Sequence, residues 1–315
     1  MRRFFTTILI GILFLFFNCQ KNQKFSEQSG KYRVALVVKT LNSPFFLDMK
    51  AGAEEAAKRL NIDLVVQAAE REIDVEKQMQ IVENLIQTKI DVLCLVPSGS
   101  KELIPAVKKA NRANIPVLII DTRLDEEAAR AENVRTATFI GSDNYQGGRI
   151  AGEYVAKIFN GKAKVAILEG VPGHETSDNR LNGFKDAVQT YPGIEIVASQ
   201  PANMERDQGF NVMQNLLQAH PDLQAIFACN DLMALGAMEA IAAAGKSGQI
   251  KIIGFDAIDE ARKEIQAGNM EASVAQHPEK MGKLAMEYAL KVIQGKKIPK
   301  YIPTEIELIT RDKKD

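Results

Sequence analysis

Ten short apolar runs, separated by longer segments of helical period, constrain this chain more than any other feature. They fall at 33–39, 63–68, 91–96, 116–120, 136–141, 164–169, 194–199, 224–229, 250–255 and 271–276. A strand covered by helices on both faces of its sheet reads as such a run rather than as an alternation. Helices are predicted between them, among others at Glu76–Thr88, Lys101–Ala113, Gln146–Phe159, Asp178–Thr190, Asp207–Ala219 and Leu232–Ala244. Strands alternating with helices belong to parallel βαβ units. Ten strands exceed one comfortable doubly wound domain, so the pattern predicts two. The first four runs, 33–120, form one set, and the pattern restarts at Gly141 and continues to Gln276. A helix, Pro278 to Gln294, and a strand, Thr304–Ile309, remain at the end, so the chain crosses between the two bodies more than once. Two lobes with several crossovers form a hinge, and the ligand site of such a molecule is the cleft between them.

The first run, Val34 to Val38, leads into Lys39-Thr40-Leu41-Asn42-Ser43-Pro44-Phe45-Phe46, and a helix, Leu47 to Leu60, follows. Ligands of open α/β sheets sit just past the carboxyl ends of the strands. Two adjacent aromatics among short polar groups suit a sugar, whose ring has apolar C–H faces and a hydroxyl rim.

Forty basic and forty acidic residues cancel, which gives no electrostatic reason for a nucleic acid, an anionic membrane or a strongly charged ligand. The N-terminus is different in kind. Arg2-Arg3 precedes the almost wholly apolar stretch Phe4 to Phe17, which is short of the roughly 20 residues a membrane-spanning helix needs and reads as an export signal. Leu15-Phe16-Phe17-Asn18-Cys19 resembles a bacterial lipobox, with Phe16 and Asn18 where aliphatic and small residues are usual, so Cys19 is the expected lipid-attachment residue. The alternative is an ordinary signal with an incidental cysteine. Gln20 to Gly30 is too polar and unpatterned to fold and reads as a tether. Cys94 and Cys229 lie in apolar runs and read as core residues of different domains, without a disulfide. Three histidines without ligand spacing predict no metal site, and no cofactor is expected.

From the first run onward the chain resembles the periplasmic sugar-binding proteins of the ribose-binding type, the solute receptors of ABC importers. The residues that carry the likeness are Val38 to Phe46, Ala198-Ser199-Gln200-Pro201-Ala202, Asn211-Val212-Met213-Gln214-Asn215, Asn230-Asp231, Ala234-Leu235-Gly236-Ala237, Gly254-Phe255-Asp256 and Val274-Ala275-Gln276. The resemblance implies the type I periplasmic binding protein fold, two doubly wound parallel-sheet α/β lobes joined by a three-strand hinge. The expected lobes are 31–141 plus 277–304 and 142–276 plus 305–315. It also implies site roles. Phe45 and Phe46 would stack on the ring from the first lobe, and Asp121 would accept a hydroxyl there. Arg180, Asn230, Asp256 and Gln276 would hydrogen-bond from the second lobe, with Gln276 near the hinge. Lys39 stands where the ribose-binding pattern has serine, Ser43 where it has asparagine, and Met204 where it has an aromatic over the sugar. Asp121-Thr122-Arg123 separates an aspartate and arginine that are adjacent in that pattern, and Asp178-Asn179-Arg180 has one arginine fewer. Lys39-Thr40-Leu41 is similar instead to allose-binding proteins, so the sugar need not be ribose.

The side chains support a polyol site on their own chemistry. Carboxylates accept from neighbouring hydroxyls, amides donate and accept, and an arginine donates in a planar fork. A buried acceptor left without its hydroxyl costs about 1–3 kcal/mol, enough to separate epimers once water is excluded. Each residue also has a plainer reading. Asn230-Asp231 and Asp121 could cap helices, Phe45 or Phe46 could be core, and Arg180 could lie on a solvated face. Convergence on strand carboxyl ends favours the site. His277 reads as structural.

The leading functional expectation is an exported protein, with no nucleic-acid partner, that delivers a monosaccharide to an ABC permease as a monomer. A sugar-sensing repressor would open with a basic helix-turn-helix, and a sugar enzyme would need a phosphate loop, a nucleophile elbow or a metal cluster, none of which is present in the sequence. Gly147-Gly148 opens a helix after a strand but lacks the dinucleotide fingerprint. Signalling to a chemoreceptor is compatible with transport, and a non-sugar solute on the same fold is the other alternative.

Overall fold

The computed structural model describes residues 31–313. The apolar segment, Cys19 and the tether lie outside them. The first sheet takes β1 (Arg33–Thr40), β2 (Asp63–Ala69), β3 (Val92–Leu95), β4 (Val117–Ile120), β5 (Thr138–Gly141) and β11 (Tyr301–Pro303), all parallel, in the order β11-β5-β4-β3-β1-β2. The second takes β6 (Lys162–Glu169), β7 (Gly193–Pro201), β8 (Ala225–Ala228), β9 (Lys251–Asp256), β10 (Ala272–Ala275) and β12 (Glu307–Thr310), in the order β12-β10-β9-β8-β6-β7. Its strands are parallel except β12, which runs antiparallel to β10. The same topology is therefore used twice.

The continuous apolar runs follow from two-sided cover. Along β1, Val34, Leu36 and Val38 enter one core cluster, while Ala35 and Val37 enter the other. The first cluster is closed by α1 (Pro44–Leu60) and α10 (Pro278–Ile293), the second by α2 (Val75–Gln87) and α3 (Ile104–Arg112). Every side chain from Val34 to Thr40 is buried, so no polar face survives to make an alternation. The second lobe is wrapped by α5 (Asn144–Ile158), α6 (Glu175–Gln189), α7 (Arg206–Ala219), α8 (Asp231–Ala243) and α9 (Asp259–Ala267). Cys94 and Cys229 are free and buried, as expected of core residues.

Three helix pairs cross at unusually close range. A methyl on Gly52 of α1 would meet the backbone of Glu279 in α10, and one on Gly282 would meet that of Met49 in return. Gly148 and Gly183 stand in the same relation between α5 and α6, and Gly209 and Gly236 between α7 and α8. Gly148 thus has a packing purpose, against the carbonyl of Arg180.

The chain passes between the sheets three times, from β5 into α5, from β10 into α10, and from β11 into β12. The strand expected over Thr304–Ile309 is β12, which begins at Glu307 and joins the second sheet, while an unanticipated β11 precedes it in the first sheet, with the third crossover between them. Thr304 turns inward there, and its Oγ1 lies 3.0 Å from Oγ of Ser142 in the first crossover. Two short helices, α4 (Glu126–Ala131) and α9, are additional to those expected from the sequence. Helix α1 begins at Pro44 rather than Leu47, with Ser43 extended at its cap and proline in its first turn, so Phe45 and Phe46 are helical. Among the described residues no helix is long and apolar enough to cross a membrane.

Candidate functional site

The carboxyl ends of both sheets face each other across a cleft. From the first lobe, Lys39, Ser43, Phe45, Phe46 and Asp121 line a cavity there. From the second come Arg180, Met204, Asn230 and Asp256, so nine of the ten expected ligand residues share one space. Gln276, the tenth, adjoins it and donates from Nε2 to Oδ1 of Asp256 at 2.9 Å. Glu72 and Thr176 also line the cavity and were not anticipated. The space enclosed is about 20 Å³, enough for a water molecule but not for a sugar ring, so a ring enters only after the walls part.

The first-lobe wall holds a buried charge cluster. Nζ of Lys39, at the end of β1, lies 3.5 Å from Glu72 and 3.9 Å from Oδ2 of Asp121, and 5.9 Å from the Phe46 ring centroid. Burial raises the Glu72 carboxyl above its ordinary range, with Lys39 opposing that rise. Thr122 donates to Oδ2 of Asp121 at 2.9 Å, while the buried Oδ1 of Asp121 has no partner. Phe45 and Phe46 meet edge to face, with centroids 5.2 Å apart. Both belong to the core as well as to the cleft, so the two readings of this pair hold together.

Arg180 organises the second-lobe wall. It is only 4% exposed and does not sit on a solvated face. Its Nε donates to Oδ1 of Asn144 at 2.8 Å and its Nη1 to the carbonyl of Cys229 at 2.7 Å. Nη1 also lies 3.3 Å from Oδ1 of Asp256, and the guanidinium covers the Phe255 ring at 4.0 Å. Burial pushes the Asp256 carboxyl up to about 6, although Arg180 and the Gln276 hydrogen bond pull it back. Asn230 caps α8 by accepting from the Met233 amide at 2.9 Å and also donates to the carbonyl of Met204 at 3.0 Å, so it both caps and lines the cleft. Asp121 does not cap; that role at α4 falls to Asp125, which accepts from the Ala128 amide.

Three of these residues hold left-handed backbone, Asp121 at φ 62°, Met204 at 65° and Asp256 at 104°. Such conformations cost about 1–3 kcal/mol each and persist where surrounding structure enforces them, often at ligand sites. Here they turn both strand-end carboxylates into the cleft instead of along the next helix.

Arg123 leaves the site altogether. Thr122 displaces it by one position, and its guanidinium lies over the rings of Phe139 and Tyr301 at 3.7 and 4.7 Å. His277 stands at the N-cap position of α10 without a side-chain capping bond, and its Nε2 lies 4.0 Å from Glu307. A wider cavity of about 370 Å³ beside the second crossover shares only Phe45, Asp256 and Gln276 with the expected set, and charged side chains such as Asp48, Asp259 and Lys280 line it. It lacks the paired aromatic wall and reads as an approach to the smaller cavity. Among the described residues no group of His, Cys, Asp and Glu could hold a metal ion.

Three carboxylates stand against two cations in the cleft, which leaves no surplus positive charge for an anion. Acceptors, a fork donor and two aromatic edges in one closed space are fitted to a neutral, hydroxyl-rich molecule.

The sequence profile of the periplasmic binding protein domain matches residues 34–297, and the chain belongs to that family. Its relatives include the ribose import binding protein of Escherichia coli K12, 41% identical over 90% of this chain and 92% of that protein. The D-ribose/D-allose-binding protein of Pseudomonas aeruginosa PAO1 is 38% identical over 90% and 91%. Among solved structures, an ABC transporter periplasmic solute-binding protein of Actinobacillus succinogenes 130z with bound D-allose superimposes with a TM-score of 0.84 at 39% identity, covering 90% of this chain and 98% of that one.

Proposed function

We propose that this chain is a solute-binding protein of an ABC importer that captures a neutral monosaccharide, a ribose- or allose-like aldose, between its two lobes. The observation that carries this reading is the unpartnered, buried Oδ1 of Asp121, a hydroxyl acceptor set beside Phe45 and Phe46 and facing Arg180 and Asp256 across the cleft. The lobes are assigned as 31–141 plus 277–304 and 142–276 plus 305–315. Phe45 and Phe46 flank the ring, Asp121 and Asp256 accept hydroxyls, and Arg180, Asn230 and Gln276 complete the second-lobe contacts. Lys39, Ser43 and Met204 adapt the cavity to the particular sugar, and Glu72 holds Lys39 in place. The protein works outside the cytoplasm, as its family does, anchored through an acylated Cys19. It acts as a monomer and without turnover, and the same closed form can serve a chemoreceptor.

The experiment is a thermal-shift screen of the purified protein against neutral aldoses, beginning with ribose and allose. A ligand that binds only the folded state stabilises it by about 2.7 kcal/mol at a hundredfold excess over its dissociation constant. A shift with one or a few of these sugars is expected. Silence across pentoses and hexoses would reopen the choice of solute.

A further inference from the structure

The two ends of the second-lobe wall are both fastened to the hinge. At one end, Asn144 is the first residue of α5, three positions after β5 ends at Gly141, and so follows directly on the first crossover. It is 2% exposed, and its Oδ1 accepts the Nε–H of Arg180 at 2.8 Å. At the other end, Gln276 of the second crossover donates to Asp256 at 2.9 Å. Arg180 and Asp256 close the chain between them at 3.3 Å. Asn144 Nδ2 and Gln276 Oε1 are buried without partners.

Without Asn144, Arg180 would keep the Cys229 carbonyl and Asp256 at Nη1 and the Phe255 ring beneath its plane, but no acceptor at Nε. A second acceptor at Nε fixes the plane of the fork, and with it the direction of the remaining N–H groups. A buried amide at the start of a helix is costly unless it serves a partner, and the partner of Asn144 is Arg180.

We infer that Asn144 is a positioning residue for sugar binding: through Arg180 it ties the orientation of the second-lobe wall to the first hinge crossover without touching the ligand. This rests on the reading of Arg180 as a sugar contact. An open-to-closed rotation about the crossovers then re-aims Arg180 and Asp256 together, because each is fastened to a segment that rotates.

The test is titration calorimetry with D-ribose and D-allose on the parent, Asn144→Ala, Asn144→Asp, Arg180→Ala and the double variant Asn144→Ala/Arg180→Ala. Asn144→Ala should weaken binding by about tenfold, as loss of a hydrogen bond to a charged group does. Asn144→Asp keeps the acceptor and should recover to within about threefold of the parent, and Asn144→Ala should cause no further loss in the Arg180→Ala background. Additive losses, or no recovery with Asn144→Asp, would overturn the positioning role. If Arg180→Ala binds as tightly as the parent, the assignment of the site itself fails, a result distinct from the first. Should binding by Arg180→Ala be too weak to measure, the Ala and Asp pair at position 144 decides alone. Should Asn144→Ala not fold, Asn144→Leu, of nearly the same shape and without the acceptor, replaces it.

Discussion

Asp256 carries two opposed demands. In the proposed site it accepts a hydroxyl most strongly when ionised, yet burial holds its carboxyl at about 6, with Asp121 and Glu72 adding to the rise and Arg180 and Gln276 resisting it. Sugar affinity should therefore fall as pH drops through about 6, by up to about tenfold per pH unit below it. The stability of the fold takes the other sign. The native carboxyl binds its proton more tightly than the unfolded chain does at 3.8, so this group's destabilising contribution is relieved as pH falls from about 6 toward that value. Titrations and thermal melts across this range should show affinity and stability moving in opposite directions, and Asp256→Asn should flatten both profiles. Identical profiles for parent and variant would assign the proton to another group, Glu72 first. Asp121 and Asp256 were legible in the sequence because each ends an apolar run. Glu72 was not: Glu70-Arg71-Glu72 reads as a solvated loop, and only burial against Lys39 distinguishes its third member. Thr176 carries no local signal at all.

At the scale of elements, the central strands were legible because two-sided burial leaves an unbroken apolar run, the edge strands β2 and β7 being only partly covered, and the long helices because their buried faces repeat. The third crossover was not, since the three residues of β11 carry no strand signal of their own and only pairing separates them from β12. The glycines of the helix pairs were equally silent, because close approach is a property of two helices and not of one. Their consequence can be tested at Gly282. A methyl there meets the Met49 carbonyl, and α1 and α10 must separate to admit it. Gly282→Ala should destabilise the fold by about 1–3 kcal/mol in urea unfolding, despite alanine's better helix propensity. A loss below about 0.5 kcal/mol, the scatter of neutral surface changes, would mean that these helices part freely and that the glycine pair does not set their distance.

The whole molecule is held in its present closure by contacts that do not touch the sugar cavity. Arg71, after β2, lies 3.4 Å from Glu205, after β7. Arg123 lies 4.0 Å from Glu175 at the start of α6, and its backbone amide donates to the same carboxylate at 3.3 Å. The Glu175 amide in turn donates to Oγ of Ser100 at 3.2 Å. Each contact joins one lobe to the other. Because a cavity of about 20 Å³ cannot admit a ring, these contacts must break before a sugar enters and reform behind it. Partly exposed pairs of this kind contribute about 0.2–1 kcal/mol each. Glu205→Gln and Glu175→Gln should therefore raise the dissociation constant by about 1.5–5-fold, mainly through faster release, because they reduce the fraction of closed molecules. Since neither side chain reaches the ligand, the factor should be the same for every sugar bound and should shrink at high salt. Stopped-flow release measured for ribose and allose in low and high salt tests this. An unchanged release rate would remove these pairs from the closure mechanism. A change in the ratio between the two sugars would place one of them in the selectivity of the cleft, which Lys39, Glu72 and the strand-end aspartates are otherwise left to set.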